Sequence, residues 1–393
     1  MKHIGFLMLV LLTCLISGCG QGAGMGAGQD TFPGITTFDA PGAGTGAGQG
    51  TLAEQNNQSG MIVGIYNDAN GVAHGFVRDA EGNFATFDAP DAGTVSGEGT
   101  YALGINDVGT VVGNYGDNLG TDHGFLRTSD GTITSFDAPG AGGPCGQGCH
   151  QGTRPAAINL AGEISGYIID ASGGGHGFLL APDGTYTFFD PSGSVFTDAD
   201  TVGIDPAGTI TGPYFDANGA LHGYVRDPDG TLTNFDAPGA GTGPAQGTIP
   251  NTIGPTGTIP GTIIDASGVF HGFLRAPDGT FTMFDVPSAG SSHTTQPPSS
   301  SRPRPFFRIS GQGTQAVATN QAGITEGNFI DASFVAHGFI RTPDGTITTF
   351  DPPGAGTGAG QGTIGPSSIN VSCAVTGFYL DASGVFHGFV RTP

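Results

Sequence analysis

The chain has no tryptophan, a single lysine (Lys2) and few charges of any kind, 11% of 393 residues. Each shortage excludes something. Without Trp the commonest stacking platform for a sugar ring is missing. Lys2 falls in a segment expected to be removed, so the mature chain offers no lysine for a Schiff base or a phosphate loop. Only 11 basic residues stand against 33 acidic ones, a formal net charge of −22, and nucleic-acid binding needs the basic footprint that is absent here. Long helices are also unexpected, because 74 residues are Gly and 27 are Pro, the two worst helix formers. Such a composition approaches that of a disordered chain. However, 27 Phe and an apolar fraction of 37% supply enough buriable surface for a packed fold. Many short strands joined by tight turns satisfy both facts.

One extended apolar run exists, residues 4–16, following the positive Lys2. It is short for a membrane span and ends in small residues, which marks a targeting segment to be set aside from the fold. Ile16-Ser17-Gly18-Cys19 resembles the lipobox of bacterial lipoproteins. The resemblance implies removal of residues 1–18, lipidation of Cys19 and an anchor outside the cytoplasm. Gly20 stands where an Asp would signal inner-membrane retention, so the outer membrane or cell surface is expected. Residues 19–30 then form a flexible Gly-rich tether.

The remainder, 31–393, is repetitive. His-Gly followed by Phe or Tyr occurs seven times, starting at His74, His123, His176, His222, His271, His337 and His387. Phe-Asp also occurs seven times, at Phe38, Phe87, Phe136, Phe189, Phe235, Phe284 and Phe350. Repeats of about fifty residues with strand-like content point to propeller blades. Each unit divides into four β-like pieces separated by Asn-Asp-x-Gly, Asp-Ala-Ser-Gly and Asp-Gly turn signals. The expected fold is therefore all-β: a single seven-bladed β-propeller with four strands per blade. The seventh unit stops at Pro393 without its Phe-Asp strand, and residues 34–51 supply an unclaimed one. The last blade is thus expected to be closed by the N-terminal strand, leaving no open edge.

The HGFLR, QGT, GIN and GTVVG elements resemble the HAF-type repeats of bacterial extracellular proteins. This chain has HGF for HAF, and FDAPGAG in place of a DLGTLGG-like link. The resemblance implies an extracellular location and a propeller-like architecture, and brings no catalytic residue with it.

Each His is preceded six positions earlier by an Asp, giving Asp68 with His74, Asp117 with His123, Asp170 with His176, Asp216 with His222, Asp265 with His271, Asp331 with His337 and Asp381 with His387. Asp–His is half of a catalytic triad or a metal pair. Seven identical copies argue instead for a structural clip in every blade, because catalysis needs only one site. The Asp of each Phe-Asp reads likewise as a hydrogen-bonding group at a turn or strand end.

Function is then expected where repetition fails. Two links are enlarged, 142–153 and 289–314. The first holds Cys145, Cys149 and His150, and in an oxidising compartment the two cysteines are expected to form a disulfide clip. Cys373, on the opposite face, is expected to be free. The second carries Arg302, Arg304, Phe306, Phe307 and Arg308, a basic cluster fitted to an acidic polymer, headgroup or protein. His150 joins it as a candidate contact residue. No cofactor or metal is expected. The Asp-Ala-x-Gly turns raise calcium, but no loop has the dense alternating carboxylates of a calcium repeat.

These observations converge on a secreted, lipid-anchored binding or scaffold module at the cell envelope. It is expected to be monomeric, to touch membrane through its anchor alone, and to meet an envelope protein or extracellular glycan. A second reading is a lyase or hydrolase acting on a polysaccharide or peptide in the propeller funnel, with His150, Arg154 and Glu163 as its nearest non-repeated residues. A third is a purely structural surface protein.

Overall fold

The computed structural model describes residues 34–146, 149–197, 203–292 and 311–393. Signal segment, Cys19 and tether lie outside these residues. Every regular element among them is a strand. The first complete unit shows the plan: an inner strand Gly50–Asn56, then Ile62–Asn67, Ala73–Arg78 and an outer strand Phe84–Phe87, paired in sequence and all antiparallel. The other repeats follow it. The unit at the C-terminus has Gly362–Ile369, Val375–Leu380 and Phe386–Arg391, and its outer strand is Ile35–Phe38 from the other end of the chain, with Phe38 opposite Gly388. Phe386 also pairs in parallel with Gly50 of the first unit, so strand pairing closes on itself.

Side chains on both faces of each four-stranded sheet are apolar, and neighbouring units bury them against one another. Val63 and Val77 of the first unit cluster with Ala102, Val111 and Phe125 of the second. Ile340 and Phe350 of the sixth cluster with Val375 and Phe389 of the seventh. The aromatic residue of His-Gly-Phe/Tyr is the anchor: Phe76, Phe125, Phe178, Tyr224, Phe273, Phe339 and Phe389 are all fully buried. Full burial of one such ring stabilises by about 2–3 kcal/mol.

The Gly beside that ring is required by packing. A Cβ at Gly75, Gly124, Gly177, Gly223, Gly272, Gly338 or Gly388 would come within 2.9 Å of the Phe ring of the paired Phe-Asp strand. At the other end of the third strand, an Arg reaches back over the preceding unit. Arg78, Arg127, Arg226, Arg275, Arg341 and Arg391 lie 4.8–5.5 Å from the ring centroids of Phe38, Phe87, Phe189, Phe235, Phe284 and Phe350. The third unit has Leu180 at this position and makes no such contact among the described residues.

A second chain of contacts runs from unit to unit through the turns after the inner strands. Asn57 donates its side-chain N–H to the carbonyl of Asn106 (3.1 Å), Asn106 to that of Asn159 (3.2 Å), and Asn159 to that of Asp205 (3.3 Å). Asn320 donates to the carbonyl of Asn370 (3.1 Å), which donates to that of Asn57 (3.2 Å). Each Asn carbonyl oxygen meanwhile accepts backbone N–H groups of its own turn, as Asn106 does from Val108 and Thr110. The relay stops at Asp205, whose carboxyl group has no N–H to give, and Gly254 at the next equivalent position has no side chain.

Asn106 therefore does two separable jobs. Asn106→Asp keeps the acceptor and removes the cross-unit donor, as Asp205 does naturally. We expect it to cost about 1 kcal/mol in denaturant unfolding, against about 2–3 kcal/mol for Asn106→Ala, which loses both. Equal losses would show that the cross-unit bond contributes nothing.

Candidate functional site

The links between units and the turns between second and third strands share one face. In the first unit Gly44 N–H donates to the carbonyl of Asn67 (2.8 Å), and Gln49 Nε2 to that of Ala69 (2.9 Å). The same Gln-to-turn bond recurs from Gln151, Gln246, Gln312 and Gln361.

The seven His residues stand on this rim, and the structure redistributes their partners. Nδ1 meets the carboxylate of the following Phe-Asp, fourteen residues on: His74 with Asp88, His123 with Asp137, His176 with Asp190 and His222 with Asp236 all at 2.8 Å, His271 with Asp285 at 2.9 Å and His337 with Asp351 at 2.7 Å. His387 meets Asp39 across the chain ends at 2.9 Å. The Asp six positions earlier lies 3.5–3.8 Å from Nε2 in every unit. Its primary work is local: Asp68 Oδ1 accepts the N–H groups of Asn70 (2.8 Å) and Val72 (2.9 Å), closing the turn. The expected pairs at Asp68, Asp117, Asp170, Asp216, Asp265, Asp331 and Asp381 are therefore present within ionic reach, and each His has in addition a shorter bond to the Phe-Asp carboxylate. The physical reason is antiparallel register, which sets His74 beside Tyr66 and places Asp88 just past Phe87, the partner of Gly75.

Stacking completes five of the units. His74, His123, His222 and His387 lie face to face with Tyr66, Tyr115, Tyr214 and Tyr379, and His337 with Phe329, at centroid distances of 4.8–5.1 Å. Ile168 and Ile263 stand opposite His176 and His271. Those two imidazoles are the most exposed, 40% and 31% against 21–24% for the rest.

Non-repeated polar residues gather at one place, between the second and third units. Asp122 occupies a position held by Ala73 or Phe270 elsewhere, and Arg154 one held by Leu52 or Ile249. Arg154 Nε donates to Asp122 Oδ2 (2.7 Å), and its terminal nitrogens donate to the Tyr167 hydroxyl (2.7 Å) and the His150 carbonyl (2.9 Å). The His150 ring lies 3.5 Å from Asp122. The Cys145–Cys149 disulfide sits in the link above, which is tied down by Gly146 N–H to Leu119 carbonyl and His150 N–H to Gly120 carbonyl.

His150 is only 6% exposed, which corrects its placement among surface contact residues: its ring is turned into the ion cluster. Of the enzymatic trio, His150 and Arg154 meet and Glu163 does not. The strand Gln151–Ile158 separates them, and Glu163 accepts from Asn159 (2.7 Å) at its far end. The sequence did not mark Asp122, which is distinguishable only by aligning the units. Cys373, expected to be free, is disulfide-bonded, and its Sγ also accepts from Asn320 Nδ2 (3.5 Å). Arg302, Arg304, Phe306, Phe307 and Arg308 also lie outside the described residues, while the ends of their link are fastened on the rim by Ser292 N–H to Gln312 (2.8 Å). No group of three or more His, Cys, Asp or Glu suited to a metal occurs among the described residues. No helix there is long and apolar enough to cross a membrane.

No family model and no curated protein matches the sequence. Among solved structures, the chain is similar to a lectin from Burkholderia pseudomallei, with a TM-score of 0.52 and 12% identity over 86% of this chain and 94% of the lectin. It is also similar to a prolyl endopeptidase, with a TM-score of 0.50 and 10% identity, covering 87% of this chain and 50% of that one. At such identities the likeness defines the fold alone, and the fold is an all-β propeller.

The hydrogen bond to Asp137, Asp190 or Asp351 raises the pKa of His123, His176 and His337 respectively, against the opposing effect of burial. A raised imidazole pKa gives stability that is complete below the unfolded value of about 6.5 and is lost as pH rises through the folded one. In an NMR titration Asp137→Asn is expected to return the His123 midpoint toward about 6.5, and Asp117→Asn to move it less. The opposite order would restore Asp117 as the main partner.

Proposed function

We propose that the chain is an exported, lipid-anchored, seven-bladed β-propeller that acts as a binding or scaffold module at the cell envelope. Its contact surface is the rim, with the link bearing Arg302, Arg304, Phe306, Phe307 and Arg308 as the principal contact. The blade count rests on the seven repeats and on strand runs that continue through the chain ends. Export and anchoring rest on the lipobox resemblance.

The supporting observation is where the positive charge is used. Of 11 basic residues, six arginines lie over Phe rings between units and Arg154 is held by Asp122. The others are Lys2 and the three arginines of the 289–314 link. A ring that spends its cations on its own packing carries its remaining ones together, on a link fastened to an acidic rim. Guanidinium groups interleaved with aromatic rings suit an acidic glycan or an acidic protein surface. The His–Asp bond recurs in every unit, which favours a structural role for it over turnover at one site.

The test compares residues 20–393 with a variant in which 291–308 is replaced by a short Gly-Ser link. Both are immobilised and exposed to acidic and neutral polysaccharides and to solubilised envelope. We expect the intact chain to retain an acidic ligand in a salt-sensitive way, and the variant to lose it. Equal retention would move the contact away from the arginine link. Cleavage of a polysaccharide by both proteins would favour the enzymatic reading.

A further inference from the structure

One side chain of the sixth unit is at odds with its surroundings. Glu326, on the second strand Thr325–Ile330, is fully buried. The equivalent residues of the other units are Val63, Val112, Ser165, Thr211, Pro260 and Thr376, and none of them is acidic. Val63 shows what the position does: it packs against Ala102, Val111 and Phe125 of the next unit. Where the residue is Thr211 or Thr376, its hydroxyl donates to a main-chain carbonyl, that of Tyr224 (2.7 Å) or Phe389 (3.0 Å).

Strand register fixes where the carboxyl group of Glu326 lies. Glu326 is opposite Ala318 on the inner strand and Ile340 on the third strand. Directly paired residues share one face of a sheet. Ala318 and Ile340 both belong to the apolar cluster made with Ile369, Val375 and Phe389 of the seventh unit. The carboxyl group is therefore packed into the junction of the sixth and seventh units, whose strands all lie within the described residues. Neither of its oxygens has a hydrogen-bond partner there.

The charged neighbours are committed elsewhere. The strands Gly313–Thr319 and Gly362–Ile369 carry no titratable group. On the third strand, His337 and Arg341 belong to the opposite face, where they lie on Phe329 and over Phe284. From the seventh unit, Tyr379, His387 and Arg391 face the junction. His387 stacks on Tyr379 at the rim, between Asp39 and Asp381, while Arg391 lies over Phe350. Burial raises the pKa of Glu326 well above the usual carboxyl value, and the Ala318 main chain opposes it.

We infer that Glu326 makes the contact between the sixth and seventh units proton-dependent: the neutral acid packs into the junction, and its ionisation loosens it. A carboxylate without a partner in an apolar contact must either draw in water or part the surfaces around it. An acid with a raised folded pKa gives stability that is complete below the unfolded value of about 4.3. That stability is lost as pH rises to the folded value and stays constant above it. The sense is opposite to that of Asp170, whose bonds to Ser172 and Gly174 lower it to about 2. It is the same as that of the rim His residues, so the effect must be read against a variant in which only Glu326 is changed.

The test follows denaturant unfolding of residues 20–393 and of Glu326→Gln between pH 5 and 8, where all other titrations cancel in the ratio of their unfolding constants. That ratio, the original protein over the variant, is expected to rise at least about tenfold across the range, with a slope of up to about tenfold per pH unit. Glu326→Val, which installs the residue of the first unit, is expected to give the same pH dependence as Glu326→Gln. At pH 8, hydrogen exchange in 325–330 and 375–380 is expected to slow in Glu326→Gln, with 111–116 unchanged. A ratio that is flat or falls with pH overturns the inference. So does equal weakening of the ring by both variants at pH 5 and pH 8, which would make the carboxyl group a packing element in either form. Equal slowing of exchange in all three segments overturns the assignment to this junction.

Discussion

Everything in this molecule depends on a four-stranded sheet that has two apolar faces and no means of covering either alone. A unit of this size gains stability only when neighbours lie on both sides. Burial must therefore propagate from unit to unit until it returns to the start, and the chain meets that demand by lending its N-terminal strand to its last unit. The contacts of highest repetition are those that cross between neighbours or clasp the strands of one unit: the buried ring of His-Gly-Phe, the Arg over the preceding Phe, the Asn relay and the His–Asp bond.

Glycine makes these contacts close enough. Phe-Asp rings lie where a Cβ would be, and inner-strand glycines press against a neighbour's carbonyl. The same logic explains the exceptions. Where Pro191 or Pro352 removes the N–H that Ala40 or Ala89 donates to a Thr hydroxyl, the Thr turns and donates to Asp190 or Asp351 instead. Where Tyr66 gives way to Ile168, the neighbouring outer strand carries Phe188 in place of Thr86. The substitutions come in sets because the units share surfaces.

Most of the architecture was legible in the sequence because repetition amplifies weak signals. One Asp-Gly turn says little, while seven equally placed turns and an unclaimed Phe-Asp strand define a closed arrangement. The Cys145–Cys149 link was legible from spacing. Three features were not. The shorter bond of each His depends on strand register, so the Asp six residues earlier was read as its partner while the one fourteen residues on went unmarked. The burial of His150 depends on Asp122 and Arg154, which become neighbours only across two units. The bonding of Cys373 was not marked by any local spacing. Local spacing reveals turns and clips, and cross-unit register must come from the structure.

Removing residues 34–40 tests the dependence on closure most directly, because it takes the outer strand, Asp39 and Ala40 from the last unit, with the Phe38 contacts to the first unit, and leaves the second to sixth units untouched. Denaturant unfolding should be followed with one probe in the seventh unit and one in the second. If burial must return to its start, both probes will lose stability together and the transition will broaden. If the second unit keeps its midpoint while only the seventh melts, the units are independently stable and closure is not what holds them.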